Sequence, residues 1–183
     1  APLYAEAART LAKEIFTDNI ALVYGGGNAG LMGIIADEVL RLGGEATGVI
    51  PRALLDKEVG HLGLTRLHIV KDMHERKAMM ADLSDGFIAM PGGIGTLEEL
   101  FEVFTWSQLG LHDKPIGLLN VGGFYDGLIN FMQHIATERF LRAEQAALLL
   151  TDTSPAALVA RFKSYRPGNL NKWTLAADAK IYP

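Results

Sequence analysis

Short, uniformly apolar segments alternate with segments of helical period along most of this chain, and that alternation limits the folds open to it. We predict strands at 20–24, 45–50, 67–70, 87–90, 116–120 and 148–150, and helices at 3–17, 31–42, 72–83, 96–109, 124–139 and 155–165. Strands of this composition are typical of a parallel sheet that is buried on both faces. The alternation therefore predicts an α/β fold, a doubly wound parallel sheet with helices on both faces.

Composition and charge exclude several classes of function. The 183 residues include no cysteine, so the chain has neither a disulfide framework nor a thiolate metal site. The formal net charge of −4 disfavours broad binding to nucleic acid or to a membrane surface. No apolar run approaches the roughly 20 residues of a membrane span, and the opening residues lack a signal-peptide pattern. We therefore expect a cytoplasmic protein with no nucleic-acid or membrane partner.

The segment Pro-Gly-Gly-Ile-Gly-Thr at 91–96 follows one predicted strand and opens a predicted helix. Such a junction presents bare backbone N–H groups at the positive end of a helix, where a phosphate can bind. Glu98 and Glu99 follow at once, so a phosphate bound there would lie beside two carboxylates. The alternative role is structural, because Thr96 can cap the helix and form a capping box with Glu99. Glu98 projects about 100° away around the helix and is less easily explained in this way.

A second glycine-rich turn has the pattern G-x-G-x-x-G at Gly25, Gly27 and Gly30. It follows a predicted strand and opens a predicted helix, as a nucleotide-binding turn requires. The acidic residue expected about 20 positions later would be Glu45, which begins the next strand instead of ending it. The ribose-binding signature of a dinucleotide site is therefore missing. Tight packing of the strand against the helix is the alternative role of these glycines.

Two adjacent cations, Arg76 and Lys77, lie in the first turns of the predicted helix 72–83. The helix dipole disfavours cations at that end, so we predict an anionic partner, such as a phosphate or a catalytic carboxylate. The alternative is a solvated charged face that includes Glu75. Glu58 lies in a predicted loop, and loops carry a disproportionate share of functional residues.

Several other catalytic patterns are missing from the sequence. The five histidines show neither the H-x-x-x-H nor the H-E-x-x-H spacing of a metal site, so we predict no metal. The sequence contains no G-x-S-x-G elbow for acyl transfer and no P-loop lysine pattern for ATP hydrolysis.

Taken together, five motifs resemble those of the Lonely guy (LOG) family. They are Tyr-Gly-Gly-Gly at 24–27, Met-His-Glu-Arg-Lys at 73–77, Pro-Gly-Gly-Ile-Gly-Thr-Leu-Glu-Glu at 91–99, Thr-Trp-Ser-Gln-Leu-Gly at 105–110 and Asp-Lys-Pro at 113–115. The combination of P-G-G-x-G-T-x-x-E with M-x-E-R-K is highly specific. The similarity extends over most of the chain, from about residue 4 to about residue 165.

The resemblance implies a Rossmann-like fold, a homodimer or larger assembly, and no cofactor. It implies a phosphoribohydrolase, which cleaves the N-glycosidic bond of cytokinin riboside 5′-monophosphates to give the free base and ribose 5-phosphate; AMP is often also a substrate in the family. We expect one Rossmann-like nucleotide-binding domain over 1–165 and a tail over 166–183. Family members begin with an additional strand, and Ala1 follows that point, so we expect the natural chain to extend upstream.

The resemblance also implies which residues bind and react. Arg76 and Glu99 correspond to the catalytic residues of the family, and Glu98 is a second candidate carboxylate. The substrate-binding residues that it implies are Glu58, Lys77, Gly92, Gly93, Ile94, Gly95, Thr96, Leu97, Glu98 and Thr105. We expect the 5′-phosphate on the backbone of 92–96, and the turn of Gly25, Gly26 and Gly27 on the ribose side. A carboxylate then stabilises an oxocarbenium-like ribose and activates water, while Arg76 orients the carboxylate or the leaving base.

Two other functions are alternatives to this hydrolase. A non-catalytic nucleotide-binding module would use the same phosphate site and would need no paired acids. A dinucleotide-dependent oxidoreductase is disfavoured by the missing acidic residue after the second strand. An older label for similar proteins is lysine decarboxylase-like, but nothing in this sequence indicates a pyridoxal phosphate site, and the chain is short for such an enzyme.

Overall fold

The structure is a computed structural model that describes residues 1–55 and 60–168. The chain divides at Asp85 into two compact units, and the described residues of each unit form a three-stranded parallel sheet with helices. This alternation of parallel strands and helices confirms the predicted Rossmann-like α/β fold. The single domain predicted over 1–165 stays a prediction, and most of the predicted tail lies outside the described residues.

The first unit contains β1–β3 and α1–α4. Its elements are α1 (Pro2–Thr17), β1 (Leu22–Tyr24), α2 (Gly30–Arg41), β2 (Ala46–Pro51), α3 (Arg52–Leu55), β3 (Arg66–Val70) and α4 (Met73–Leu83). Strand β2 lies between β1 and β3 and is buried along its whole length. Helix α1 packs against α2, and its buried residues recur at i, i+3, i+4 and i+7, which is the spacing of one helix face.

The second unit contains β4–β6 and α5–α8. Its elements are β4 (Phe87–Ala89), α5 (Ile94–Gln108), β5 (Ile116–Leu119), a 3₁₀ turn (Val121–Gly123), α6 (Asp126–Thr137), α7 (Ala143–Ala146), β6 (Leu149–Asp152) and α8 (Pro155–Ser164). Strand β5 lies between β4 and β6 and is fully buried. In the core of the second unit, Leu100 and Phe104 of α5 pack with Leu118 of β5 and Met132 of α6.

Each predicted strand and helix has a counterpart in the structure. The short helices α3 and α7 and the 3₁₀ turn were not predicted, because segments of three or four residues are too short to show a helical period. Helix α5 begins at Ile94, two residues earlier than predicted. Throughout the described ranges, each helix is too short or too polar to cross a lipid bilayer.

Candidate active site

The start of helix α5 is open to solvent. Gly93, which has no side chain, stands at the N-cap position, and Ile94 is 81% exposed. A Cβ atom added to Gly93 or to Gly95 would meet no atom within 4 Å in the part of the chain that the structure describes. The first N–H groups of a helix have no partner inside the helix. The turn therefore offers backbone donors, at the positive end of a helix of 15 residues, to an anion that approaches from solvent.

The predicted capping box of Thr96 and Glu99 is wrong. Thr96 lies inside the helix, as its third residue, and its N–H donates to the Gly93 carbonyl at 3.1 Å. A Cβ atom on Gly92 would lie 2.2 Å from the Thr96 hydroxyl oxygen, so a glycine at 92 is what lets this hydroxyl approach the turn. Because the absence of side chains at 92 and 93 lets the chain turn at once, the helix begins without a capping hydroxyl.

The two carboxylates on α5 differ in exposure. Glu98 is exposed to solvent, whereas Glu99 is half-buried. Both lie within the first two turns of the helix, close in sequence to the open turn. Thr105 lies farther along the same helix, where its hydroxyl donates to the Phe101 carbonyl at 2.7 Å. Helix α5 thus carries Gly93–Gly95, Thr96, Leu97 and both glutamates within one short segment of the second unit.

In the first unit, the Arg76 guanidinium joins the ends of two strands. Its Nε–H donates to the Val49 carbonyl at 3.1 Å, and its Nη2 donates to the Gly25 carbonyl at 2.7 Å. Val49 belongs to β2, and Gly25 directly follows β1. A third, weaker contact links Nη1 to the sulfur of Met73 at 3.7 Å. The alternative of a solvated charged face is therefore wrong for Arg76, since the carbonyl groups of Gly25 and Val49 hold its guanidinium next to β1 and β2. Lys77 is half-buried next to it on α4.

Close packing and backbone conformation together explain several glycines of the turn at 25–30. A Cβ atom on Gly25 would lie 2.0 Å from Nη2 of Arg76. Gly26 has a φ of +75°, and its carbonyl accepts the N–H of His61 at 3.0 Å. Gly27 pairs with Gly60 in an isolated antiparallel bridge, and Gly30 has a φ of +61°. The packing alternative thus accounts for Gly25, which makes room for Arg76, whereas the positive φ of Gly30 explains the glycine at that position.

The fit between Gly25 and Arg76 gives a test of the cation's position. Alanine at 25 collides with the far end of a flexible side chain, so we expect Gly25→Ala to fold and to displace the guanidinium. The expected result is a fall in kcat/KM of about tenfold or more, together with a lower melting temperature, because the displaced guanidinium no longer bonds both carbonyl groups. Gly127→Ala is the matched control, because in the described structure its Cβ meets nothing within 4 Å. Wild-type activity of Gly25→Ala would show that the position of the cation does not matter.

A variant of the capping box that sequence reasoning missed fixes the start of α4; in it the glutamate bonds the N–H of Lys71 instead of that of the N-cap residue Asp72. Asp72 is the N-cap residue, and its Oδ1 accepts the N–H groups of His74 and Glu75, each at 3.0 Å. Glu75 reaches back, and its Oε2 accepts the N–H of Lys71 at 2.7 Å. The signal was present in the sequence as Asp-x-x-Glu directly before a helical segment. The box determines where the helix begins, and hence where it carries Arg76.

The Asp72 carboxylate gives this helix start a pH dependence. The hydrogen bond from the Glu75 N–H, more than any other contact, holds the pKa of Asp72 below its ordinary value of 3.8. Because the folded pKa is the lower one, the ionised carboxylate stabilises the fold above about pH 4, and this contribution is lost as the pH falls through the folded pKa. In melting experiments from pH 6 to pH 3, we expect Asp72→Asn to lose less stability than the wild type. Asp82→Asn, exposed at the other end of α4, should follow the wild-type profile. Superimposable curves for Asp72→Asn and wild type would contradict this assignment.

His61 is a structural residue in this fold. It is buried; its Nε2 lies 2.9 Å from Oδ1 of Asp37, and its Nδ1 accepts the N–H of Gly63 at 3.2 Å, which assigns the Nε2–H tautomer. Together with the bond to Gly26, these contacts hold the segment that follows Glu58 against the glycine turn. Glu58 itself lies outside the described residues. Within those residues, no three or more acidic or histidine side chains cluster as metal ligands would.

Comparisons of the amino-acid sequence with known proteins show to which family the chain belongs. The family model described as "possible lysine decarboxylase" matches residues 32–162. A cytokinin riboside 5′-monophosphate phosphoribohydrolase of Arabidopsis thaliana, LOG5, is 47% identical over 91% of this chain and 73% of its own length. A probable enzyme of the same name from rice (Oryza sativa subsp. japonica), LOGL2, is 46% identical over 90% of this chain and 68% of its own length.

Solved structures share the fold at lower sequence identity. The molybdenum cofactor carrier protein of Chlamydomonas reinhardtii superimposes with a TM-score of 0.68 at 21% identity, over 90% of this chain and 88% of that one. This likeness concerns the fold alone. The sequence identity with the plant enzymes is much higher, because nearly half of the aligned residues are the same. The family model also spans most of the chain. On these grounds the chain belongs to the LOG family, whose family model carries the older description of a possible lysine decarboxylase.

Proposed function

We propose that this protein is a phosphoribohydrolase of the cytoplasm that cleaves the N-glycosidic bond of cytokinin riboside 5′-monophosphates, and also of AMP. The products are the free base and ribose 5-phosphate. The activity in the names of its relatives supports the reaction class. The observation that carries the proposal is the open start of α5, where backbone donors at Gly93–Gly95 are followed directly by two glutamates.

In the proposed mechanism, the 5′-phosphate binds to the N–H groups at the start of α5, assisted by the Thr96 hydroxyl. This anchors the nucleotide so that the ribose lies near the carboxylates. As the bond from C1′ to the base breaks, its electron pair leaves with the base, and positive charge develops on the ribose. A carboxylate stabilises that charge and takes a proton from the water that attacks C1′, while the departing base gains a proton. Glu99 is the better candidate, because half-burial strengthens its electrostatic effect relative to the exposed Glu98.

Arg76 is the second catalytic residue in this proposal. Its hydrogen bonds to Val49 and Gly25 fix the guanidinium before substrate arrives. A cation that is already in place needs no reorganisation during the reaction, which is the condition for effective electrostatic catalysis. The resemblance of its motif to that of the LOG family supports the proposal that Arg76 orients the carboxylate or the leaving base. Lys77 and the turn of Gly25, Gly26 and Gly27 are substrate-binding residues in the same proposal. Glu58 remains a proposed binding residue.

A non-catalytic nucleotide-binding module is the second candidate. The solved structure that shares the fold is named a molybdenum cofactor carrier protein, and carriers are not enzymes. A likeness at 21% identity, however, supports the fold and not the ligand or the role. A product assay separates the two functions. We expect the purified chain to release free adenine from AMP, and free isopentenyladenine from isopentenyladenosine 5′-monophosphate. Binding of these nucleotides without release of base would favour the module.

We further propose that the protein assembles as a homodimer or a larger oligomer. Three phenylalanines of the second unit, Phe124, Phe131 and Phe140, are 42%, 56% and 86% exposed, and their burial against a second copy would remove apolar surface from water. In light scattering we expect a mass of at least twice the 19.8 kDa of one chain. A mass that stays at one chain up to millimolar concentration would contradict this assembly.

A further inference from the structure

A buried tyrosine of the second unit holds the residue that leads into the turn at 91–96. Tyr125 is 2% exposed, and its hydroxyl donates a short hydrogen bond to the Met90 carbonyl. Met90 follows the last residue of β4, and the pairing of β4 with β5 ends at Ala89 and Leu118. The Met90 carbonyl has therefore left the strand pairing, and the tyrosine hydroxyl satisfies it in place of a neighbouring strand.

Tyr125 is itself held by a second set of hydrogen bonds. Its backbone N–H donates to Oδ1 of Asn120 at 2.7 Å, and Nδ2 of Asn120 donates to Oδ1 of Asp126, also at 2.7 Å. The N–H of Asn120 donates to the Asp152 carbonyl at the end of β6, at 2.8 Å. We call Asn120, Tyr125 and Asp126 the brace. The brace connects the ends of β5 and β6 with the residue that precedes the open turn.

The loop within the brace allows little alternative geometry. Gly122 and Gly123 have φ values of +60° and +73°, which side-chain-bearing residues rarely adopt. A Cβ atom on Gly123 would lie 2.6 Å from a carboxylate oxygen of Asp126. Burial raises the pKa of Tyr125 to about 12, so its hydroxyl remains a donor throughout the working pH range.

We propose that Tyr125 is a positioning residue for the phosphate-binding turn, because its hydroxyl fixes the Met90 carbonyl and with it the entry to residues 91–96. This inference rests on the proposed function of that turn. Several backbone N–H groups must point at the same phosphate oxygens, and a small shift of the turn weakens all of them together. The sequence offers no local signal for this role, since 35 residues separate the two partners.

The test removes the oxygen atom of the tyrosine hydroxyl. In the full chain, Tyr125→Phe removes the hydroxyl and keeps the ring. We expect the Kd values for AMP and for ribose 5-phosphate to rise about tenfold, and the Kd for adenine, which lacks the phosphate, to stay unchanged. In AMP hydrolysis, KM should rise more than kcat falls. Tyr165→Phe, which removes a half-buried hydroxyl at the end of α8, is the matched control and should behave as wild type.

Hydrogen exchange gives a second measurement that does not depend on turnover. In Tyr125→Phe, we expect faster amide exchange in a peptide that covers 91–97 and unchanged exchange in a peptide that covers 22–30. Asn120→Ala removes the acceptor of the Tyr125 N–H and keeps the tyrosine side chain, so we expect this second variant to produce the same pattern of exchange.

The outcomes separate this inference from the proposed function. A wild-type chain that bound neither AMP nor ribose 5-phosphate would refute the proposed function, and this inference with it. If the wild type binds both and Tyr125→Phe binds ribose 5-phosphate within about twofold of wild type, the inference alone is wrong. An equal loss of affinity for adenine would also overturn it, because it would indicate general loosening of the fold.

Discussion

Replacing Arg76 by alanine is expected to lower kcat/KM for AMP by about a hundredfold or more. The substitution removes a prepositioned cation, and the loss of such an electrostatic contact typically costs ~3 kcal/mol of transition-state stabilisation. It also leaves the carbonyl groups of Val49 and Gly25 without the donor that joins them. We therefore expect the melting temperature to fall as well. The measurement is initial rate of adenine release, combined with a melting curve.

Two further variants show whether the effect belongs to the geometry of Arg76. Arg76→Lys keeps the charge, but a single ammonium cannot reproduce the planar fork that reaches both carbonyls, so we expect only partial recovery. Arg9→Ala is the control, because it removes an exposed arginine of α1. Nη1 of Arg9 lies 3.9 Å from Oε2 of Glu6, and its removal should leave the rate unchanged. If Arg76→Ala retained wild-type kcat/KM, Arg76 would have no part in the chemistry.

Glu99→Gln is expected to lower kcat by about a hundredfold to a thousandfold with little change in KM. The amide has the shape of the carboxylate but carries no charge, so it neither stabilises the developing positive charge on the ribose nor accepts a proton from water. Since the phosphate anchor is intact, binding of the ground state should be preserved, and the loss should appear in kcat. Single-turnover measurements of base release from AMP test this directly.

The corresponding variant of Glu98 shows whether the effect is specific to Glu99. Glu98 lies one residue earlier on the same helix and is more exposed, so we expect Glu98→Gln to lower kcat by a smaller factor than Glu99→Gln. Glu138→Gln, at the exposed end of α6, controls for the loss of one negative charge. Equal, wild-type turnover in Glu98→Gln and Glu99→Gln would exclude a carboxylate mechanism on this helix. The reverse order of effects would assign the chemistry to Glu98.

The elements that sequence predicted well are those whose signal is local. The strands at 45–50 and 116–120 are mostly apolar, as is typical of central, buried strands, and the spacing of the apolar residues of helix α1 shows its buried face. The start of α5 was predicted two residues late for a physical reason. Helix caps are recognised in a sequence by side-chain oxygens, and the N-cap residue of this helix is a glycine, which has no side chain.

The residues of the candidate site stay a prediction, and the sequence did not specify their contacts. Arg76 stood out because a cation at a helix start is unfavourable, but its partners at Gly25 and Val49 are 51 and 27 residues away. Local sequence cannot specify such pairs. The same holds for Tyr125 and Met90, where nothing in the tyrosine's neighbourhood indicates the turn that it supports. The helix cap formed by Asp72 and Glu75, by contrast, is indicated by the spacing of these two residues alone.

In the proposed mechanism, the open start of α5 binds the phosphate of a nucleotide and thereby brings its glycosidic bond to Glu99. A crystal structure of Glu99→Gln soaked with AMP tests it most directly, because this variant should bind the nucleotide and leave it intact. We expect phosphoryl oxygens within about 3 Å of the backbone nitrogens at Gly93–Gly95, with the ribose next to residue 99. Intact AMP whose phosphate lies away from this turn would contradict the account.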